Sequence, residues 1–357
     1  MLTGQAKQER EETTESQRVG EAEEKALEMS DILLELLRVS EKAANIARAC
    51  RQQEALFQLL IEEKKGAEKN KKFAADFKTL ADVLVQEVIK QNMENKFPGL
   101  GKKVFGEESN EFTNDLDSTY QYIKGSANVK SNQGVFPSGL QCVTILIGVY
   151  DLQTGLPLMG VINQPFASQN LTTLRWTGQC YWGLSYMGNN IHSLQLAISK
   201  SNSETQTENS DRESSNPFSA VISTSEKDTI KTALSDVCGG SVFPAAGAGY
   251  KSLCVVQGLA DIYIFSEDTT YKWDSCAAHA ILRAMGGGIV DMKECLERSP
   301  DTGLDLPQLL YHVENKGASG VDLWANKGGL IAYRSRNRLD TFLSRLIQSL
   351  GPLKTQT

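Results

Sequence analysis

The residues of this sequence best suited to chemistry are carboxylates, which occur in four short clusters. Asp82 lies in the stretch TLAD, and Glu107 and Glu108 form an adjacent pair after a glycine. The third cluster is DLDST at 115–119, and the fourth is centred on Asp274 in WDSCAAHAIL. Mg²⁺ prefers hard oxygen ligands, and hydroxyl and backbone N–H groups at a helix N-terminus suit phosphate. The clusters therefore indicate a site for magnesium and phosphate.

Each cluster also has a purely structural interpretation. Asp82 falls near the start of a helical pattern, where a carboxylate favourably opposes the helix dipole. The Glu–Glu pair is of a kind that usually lies on a solvated surface, and residues 115–119 would make an ordinary helix N-cap. Asp274 opens a helix whose small residues allow close packing, and His279 on that helix is interpreted as packed or partly exposed rather than as a base.

The elements that must position these clusters are helical at first and mixed later. Residues 1–28 are dense in charge and lack aromatic residues, which predicts a disordered or loosely helical extension before a folded domain that begins at Met29. Apolar residues at helical spacing then predict two or three amphipathic helices before Phe97. From Leu140 onward, short β-prone runs between turn residues indicate an antiparallel meander.

A low-complexity segment at 200–216 predicts a mobile surface loop that divides the chain. We expect an N-terminal α+β lobe with the metal site over residues 29–190, and a C-terminal α/β lobe over residues 191–357. In the second lobe four strands are predicted at SAVIST, ADIYIF, GGIVD and GLIAY, with helices at 226–237, 250–257, 273–285 and 336–350. The whole pattern predicts an α/β (α+β) sandwich of stacked helix and sheet layers.

The composition narrows the class of protein. A net charge of −7 argues against a protein that wraps nucleic acid, although carboxylates that collect divalent cations can still bind a small anion. No apolar run is long enough to span a membrane. Seven scattered cysteines without a CxxC pair or secretory signal favour the cytoplasm. With three histidines not spaced like zinc ligands, a metal would be held by oxygen. We expect a monomer or weak oligomer that acts on a small molecule.

The order of the four clusters resembles the lithium-sensitive, magnesium-dependent phosphatases, which include inositol monophosphatase, bisphosphate nucleotidase and fructose-1,6-bisphosphatase. The motifs FGEESN, DSTYQYIKG, LQCVTILIGVYD, GVINQP, AGAGYKS and WDSCAAHAILRAMGGGIVD resemble the inositol polyphosphate branch, from Met29 to the C-terminus with one gap. The resemblance implies a layered αβαβα sandwich of the sugar-phosphatase type. It also implies a lithium-inhibited enzyme that removes the 1-phosphate from inositol 1,4-bisphosphate and inositol 1,3,4-trisphosphate in phosphatidylinositol signalling.

The same resemblance implies a role for each site residue. Two or three Mg²⁺ would be held by carboxylates and one backbone carbonyl: Glu107, Glu108, Asp117, Asp274 and the carbonyl of Leu116. A water would be oriented and activated for in-line attack on phosphorus by Asp82, Glu107 and Thr119. The implied substrate contacts are Asp117, Ser118, Thr119, Ser225, Lys227, Gly247, Ala248, Lys251 and Thr269.

The sequence departs from the family just before DST. Family members carry Asp-Pro-Ile/Leu-Asp-Gly/Ser-Thr after an apolar strand, whereas here Asn114 and Asp115 stand in the places of the first Asp and the Pro, and residues 109–113 are polar. We interpret this as the loss of a segment between Phe112 or Asn114 and Leu116. Such a loss predicts weak magnesium binding and slow turnover.

Two other functions remain open. The first is a catalytically impaired chain that binds phosphate or acts as a regulator. The second is the 3′(2′),5′-bisphosphate nucleotidase activity of the same superfamily, which is disfavoured because the contexts GAGYKS and STSEK match the inositol enzymes better.

Overall fold

The computed structural model describes residues 2–53, 57–58, 61–64, 77–103, 114–195, 217–298 and 305–351, without the side chains of residues 2–26, 102 and 114–116. Glu107, Glu108 and the predicted loop at 200–216 lie outside these ranges. The elements of the first half, in chain order, are α1 (Leu2–Gln52), β1 (Ile61–Glu63), β2 (Phe77–Thr79), α2 (Leu80–Lys96), β3 (Asn114–Asp117), α3 (Thr119–Lys124), β4 (Thr144–Tyr150), β5 (Pro157–Gln169), β6 (Trp176–Tyr186) and β7 (Asn189–His192).

The second half alternates strands and helices. Its elements are β8 (Ala220–Ile222), α4 (Asp228–Cys238), β9 (Val242–Pro244), α5 (Ala248–Gln257), β10 (Ile262–Phe265), α6 (Lys272–Ala284), β11 (Gly288–Asp291), α7 (Met292–Glu297), β12 (Leu330–Tyr333) and α8 (Arg336–Leu350). Single 3₁₀ turns occur at Gly101–Lys103, Leu140–Cys142 and Gly320–Trp324.

These elements stack as five layers, which confirms the predicted αβαβα sandwich. Helices α1 and α2 cover one face of an antiparallel sheet with the strand order β3-β4-β5-β6-β7, so the predicted meander is confirmed. Helices α5 and α6 fill the space between this sheet and a second one. The second sheet has the order β11-β12-β10-β8-β9, and its outer face is covered by α4 and α8.

The first helix packs because its small and aliphatic residues recur three or four positions apart. Leu36, Val39, Ala43 and Ala47 are buried against the first sheet and α2. The backbone of this helix begins at Leu2, so it includes residues 2–28 of the predicted N-terminal extension.

The second sheet mixes strand directions. Strand β8 lies parallel to both β9 and β10, whereas β12 lies antiparallel to β10 and β11. The four strands predicted from sequence are confirmed as β8, β10, β11 and β12. The three-residue strand β9 was not predicted, because Val242–Pro244 contains a proline and is too short to show alternation.

Helix α6 approaches the first sheet closely because three glycines lie side by side on β4, β5 and β6. Gly148 pairs with Gly160, which pairs in turn with Gly183. A Cβ atom at Gly148 would lie 2.6 Å from the Sγ of Cys276, and one at Gly160 would collide with the carbonyl oxygen of Ala277. This glycine row therefore sets the depth of α6, the helix that carries Asp274. No helix in the described ranges is long and apolar enough to cross a membrane.

Candidate active site

The candidate residues lie where strands end and helices begin. Strand β3 ends at Asp117, and the parallel strands β8, β9 and β10 lead into the loops before α4, α5 and α6. The carboxyl edge of parallel strands is where α/β proteins usually bind ligands, because side chains and helix N-termini converge there. The site is therefore assembled from both sheets and from the helices between them.

Asp117 is held at the N-terminus of α5. Its Oδ1 accepts a hydrogen bond from the backbone N–H of Ala248 at 3.2 Å, and its Oδ2 accepts from Gly249 at 3.0 Å and Tyr250 at 3.4 Å. The hydroxyl of Thr144 also donates to Oδ2, at 3.2 Å. The carboxylate is buried, with a residue exposure of 7%. Burial raises its pKa, and the nearby charge of Lys251 and these hydrogen bonds oppose that rise.

Ser118 and Gly247 face each other beside this carboxylate. Ser118 has a left-handed backbone, with φ of 74°, and its buried Oγ has no hydrogen-bond partner in the described part of the chain. Gly247 also has a positive φ, of 78°, and a Cβ there would lie 2.6 Å from the Oδ2 of Asp117 and would collide with the Oγ of Ser118. Glycine at this position thus lets α5 approach the DST run.

Asp82 and Thr119 are brought together by two helix N-termini. The hydroxyl of Thr119 donates to Oδ1 of Asp82 at 3.2 Å, across 37 positions of sequence. The other carboxylate oxygen of Asp82 accepts from the backbone N–H of Thr79, closing a capping box at the start of α2. Asp82 therefore caps helix α2 and also accepts a hydrogen bond from Thr119.

Asp274 occupies the same position in α6 as Asp82 does in α2. Its Oδ2 accepts from the backbone N–H of Tyr271 at 2.6 Å, and the side-chain amide of Asn326 donates to the carbonyl of Tyr271 at 3.0 Å. Asn326 thus holds the turn from which α6 starts. Sequence reasoning missed Asn326, because it lies in an irregular stretch 52 positions after Asp274 in the chain.

Tyr263 is a buried residue whose hydroxyl is influenced by the charges of Asp274 and Asp117. Its side chain is fully buried, and its hydroxyl has no hydrogen-bond partner in the described ranges. Burial raises the pKa of this hydroxyl well above its ordinary value, and the negative charges of Asp274, Asp117 and Glu226 raise it further. The charges of all three carboxylates therefore act on one buried hydroxyl. A tyrosine inside a short apolar strand gives no sequence signal of such a position.

Lys251 supplies positive charge at the same place. Its ammonium group donates to the carbonyl of Gly247 at 2.6 Å and lies 5.2 Å from the ring centroid of Tyr263. The side chain is almost completely buried. Its charge lowers the pKa of Asp117, against the larger effect of burial.

The remaining substrate residues lie on neighbouring loops. Ser225 and Lys227 are exposed in the turn between β8 and α4; the hydroxyl of Ser225 lies 3.0 Å from that of Ser223, and the Lys227 ammonium donates to the carbonyl of Ser266 at 3.4 Å. Thr269 lies between β10 and α6. Leu116 lies in β3, paired with Ile145 of β4.

The structure brings the predicted residues into two connected groups. Asp117, Ser118, Gly247, Ala248 and Lys251 surround the start of α5, and Thr119 continues from Ser118 to Asp82. Asp274 lies close enough to Tyr263 for its charge to raise the pKa of the Tyr263 hydroxyl. Within the described residues, no three His, Cys, Asp or Glu side chains are gathered closely enough to hold a metal ion. The donor types fit a hard cation such as Mg²⁺, since carboxylate oxygens predominate.

Comparison with known proteins identifies the class of this chain as a phosphatase hydrolase. The chain belongs to the inositol monophosphatase family, whose sequence model matches residues 33–339. Within that family it is similar to inositol polyphosphate 1-phosphatase of Mus musculus, at 80% identity over 395 positions that cover 92% of this chain and 100% of the mouse protein. The Homo sapiens protein of the same name is 68% identical over 399 positions, covering 92% of this chain and 100% of that protein.

A solved structure supports the fold. The inositol monophosphatase from Zymomonas mobilis aligns with a TM-score of 0.51 and 17% sequence identity, over 89% of this chain and 98% of that one. At this identity the likeness concerns the fold alone.

The mouse alignment also shows that this chain lacks internal positions. It extends over 395 positions, whereas 92% of 357 residues is about 328 residues, so about 67 positions have no counterpart here. An identity of 80% over 395 positions corresponds to about 316 identical residues. The two chains therefore differ mainly by missing positions and only slightly by substitution.

Proposed function

We propose that this chain is a Mg²⁺-dependent, Li⁺-inhibited phosphomonoesterase that removes the 1-phosphate from inositol 1,4-bisphosphate and inositol 1,3,4-trisphosphate. The observation that carries the proposal is the junction of Asp117, Ser118 and Thr119 with the N-terminus of α5 and with Asp82. Backbone N–H groups, a buried lysine and carboxylates at one place suit a phosphorylated polyol that arrives with a divalent cation. The names of the mouse and human relatives support this substrate class.

The cation would be held by the carboxylates of Asp117 and Asp274, with Glu107, Glu108 and the Leu116 carbonyl as further ligands. When bound, Mg²⁺ supplies Lewis-acid polarisation of the phosphoryl group and lowers the pKa of water. Among these ligands, Asp117 already accepts hydrogen bonds on both carboxylate oxygens. Its oxygens must exchange hydrogen bonds from α5 for the cation, or bind it through their remaining lone pairs.

The residues of this chain orient the reaction. The Thr119 hydroxyl donates a hydrogen bond to Oδ1 of Asp82, and its oxygen is suited to accept a hydrogen bond from an attacking water. Asp82 is itself fixed by the cap of α2, which keeps the Thr119 hydroxyl in one rotamer. Glu107 is the further group proposed to take a proton from that water.

Substrate binding would use the groups around α5 and the exposed turn before α4. The backbone N–H of Ala248 and the buried charge of Lys251 face the carboxylate side of the site, and Ser225, Lys227 and Thr269 would contact the rest of the inositol phosphate. Gly247 keeps the space between α5 and Ser118 free of a side chain. Lys227 is exposed and is suited to bind a phosphate group by charge.

We infer that turnover and magnesium affinity are lower than in the mouse relative. The missing positions found in the alignment support a loss next to β3, where Asn114 and Asp115 replace the expected Asp-Pro. Asp115 lies two residues before Asp117 rather than three, which changes the direction of its side chain relative to Asp117. A cytoplasmic location and a monomeric or weakly associated state complete the proposal, the first because all seven cysteines are free thiols.

The deciding experiment measures phosphate release from inositol 1,4-bisphosphate and from adenosine 3′,5′-bisphosphate, with and without Mg²⁺. We expect slow release from the inositol substrate only, dependent on Mg²⁺ and inhibited by Li⁺. Asp274→Asn should abolish it while retaining the fold, because an amide oxygen can still accept from the Tyr271 N–H. Preferred release from the nucleotide would establish the nucleotidase function. Binding of the inositol substrate without release would establish the impaired, phosphate-binding chain.

A further inference from the structure

Glu226 is a buried acid between two exposed residues of the candidate substrate loop. Its side chain is 2% exposed, whereas those of Ser225 and Lys227 on either side are exposed. The loop follows β8 and forms a turn in which the backbone N–H of Glu226 donates to the carbonyl of Ser223 at 3.0 Å. Alternation of exposed, buried and exposed residues at a turn means that the middle side chain is directed into the protein.

The carboxylate of Glu226 ties this turn to the end of the neighbouring strand. Its Oε2 accepts from the backbone N–H of Ser266 at 3.2 Å, and its Oε1 accepts from the hydroxyl of Ser266. Oε1 also accepts from the backbone N–H of Lys227 at 3.0 Å. Ser266 directly follows β10, which lies parallel to β8. One side chain therefore connects the loops that follow two adjacent parallel strands.

We propose that Glu226 is a positioning residue that holds Ser225 and Lys227 in the geometry that binds the inositol phosphate. This inference rests on the proposed function. Lys227 is the N-cap of α4, and its backbone N–H is fixed by the Glu226 carboxylate. The Lys227 ammonium reaches the Ser266 carbonyl, the same residue to which Glu226 is bonded. The loop thus keeps a single conformation before substrate arrives, which lowers the entropy lost on binding.

Loss of this tie should weaken substrate binding more than the chemical step. Thr119 and Asp82 lie at the starts of α3 and α2, whereas the carboxylate of Glu226 accepts hydrogen bonds from Lys227 and Ser266. Once substrate has bound to such a variant, the Thr119–Asp82 pair would act on it as in wild type. The expected signature is a raised KM with a nearly constant kcat.

The test compares Glu226→Ala, Glu226→Gln and Ser266→Ala with wild type in the full chain. Isothermal titration gives the Kd of inositol 1,4-bisphosphate, and a turnover assay gives KM and kcat. We expect Glu226→Ala to raise Kd and KM about tenfold or more while kcat changes less than about threefold, since three hydrogen bonds to a charged acceptor are lost. Glu226→Gln should be milder, because its amide oxygen still accepts. Glu87→Ala, at an exposed position of α2, is the control and should behave as wild type.

Amide hydrogen exchange provides a readout that needs no substrate. The backbone N–H groups of Lys227 and Ser266 should exchange faster in Glu226→Ala and Glu226→Gln, and melting curves identify any variant that fails to fold. If Glu226→Ala does not fold, Glu226→Gln and Ser266→Ala carry the test. Suppose that wild type binds the substrate. The inference alone is then overturned if the folded variants have the wild-type Kd, or if they lose kcat at a constant KM. A wild-type chain that neither binds nor hydrolyses the substrate overturns the proposed function and this inference with it.

Discussion

At the scale of single residues, the Asp117 carboxylate has two competing partners. A buried carboxylate is costly unless its oxygens accept hydrogen bonds, and the N-terminus of α5 supplies backbone donors to both of them. A cation offers the same carboxylate a stronger partner. Under the proposed function, binding of a cation by Asp117 would therefore depend on whether enough other ligands lie beside it.

His279 is completely buried, which confirms that it is a packed histidine. Its Nδ1 lies 2.9 Å from the Tyr311 hydroxyl and its Nε2 lies 2.8 Å from Oε1 of Gln308. Burial lowers its pKa to about 3, the hydrogen bond to Gln308 opposes this, and the charge of Arg283 adds to it. The ring thus stays neutral in the folded protein at pH values where it is protonated in the unfolded chain.

We predict a loss of stability in acid that is traceable to His279. Between the ordinary pKa of 6.5 and the folded value of about 3, the unfolded state binds a proton that the folded state does not, so stability falls as the pH is lowered. The contribution is about 1.4 kcal/mol per pH unit. Urea unfolding at several pH values should show a shallower dependence in His279→Gln. The exposed His312→Gln should keep the wild-type dependence, and an equal slope in all three proteins would contradict the assignment.

At the scale of elements, the glycine row explains why α6 carries so many small residues. Cys276, Ala277 and Ala280 are completely buried, and the sheet beneath them has no side chains at the three paired glycines. The first turn of α6 carries Asp274 and follows the loop after β10. The depth at which α6 packs therefore also sets the position of this turn. The position of Asp274 thus depends on packing that begins two residues later in the same helix, at Cys276 and Ala277.

Gly160→Ala should damage both stability and the site. The added methyl group would collide with the backbone carbonyl of Ala277, which cannot rotate away as a side chain could, so α6 must shift. We expect a loss of about 1–3 kcal/mol in the free energy of unfolding. A larger relative loss of turnover than of stability would reflect displacement of Asp274. Ser168→Ala, an exposed position of the same strand, is the control, and equal stability of the two variants would disprove the close contact.

At the scale of the whole molecule, the first sheet ends in the short edge strand β3. Strand β3 has four residues and pairs with the first four residues of the seven-residue β4. Within the described residues, the register with β3 covers Thr144–Ile147 of β4. A short edge strand buries little apolar surface, and an incompletely covered sheet edge favours aggregation.

We predict that this chain melts below the mouse relative. A difference of several degrees is expected, since 1 kcal/mol shifts the melting temperature by roughly 2–4 °C in domains of 150–250 residues. Thermal unfolding of both proteins under one condition measures it. Insertion of the mouse segment before Leu116 should raise the melting temperature and the Mg²⁺ affinity together. A chain that already melts at the mouse temperature would show that the loss is structurally neutral.

Local patterns in the sequence determined the types and order of most elements and the kinds of residue in the site. Hydrophobic spacing predicted β8, β10, β11 and β12 and the helices between them, because a strand or helix that faces a core must repeat apolar residues at its own period. The acidic and hydroxyl clusters indicated phosphate and magnesium chemistry, because a site for these ligands requires such residue types whatever the fold.

Only the tertiary structure decided which groups meet. Asp117 accepts hydrogen bonds from residues 131 to 133 positions away, Glu226 bonds to Ser266, and the three glycines come into one row across separate strands. None of these contacts follows from a local period, because register, strand order and helix depth depend on the packing of the whole sandwich. Burial and long-range hydrogen bonds also determine the neutral state of His279 and the interaction of Asp117 with the start of α5.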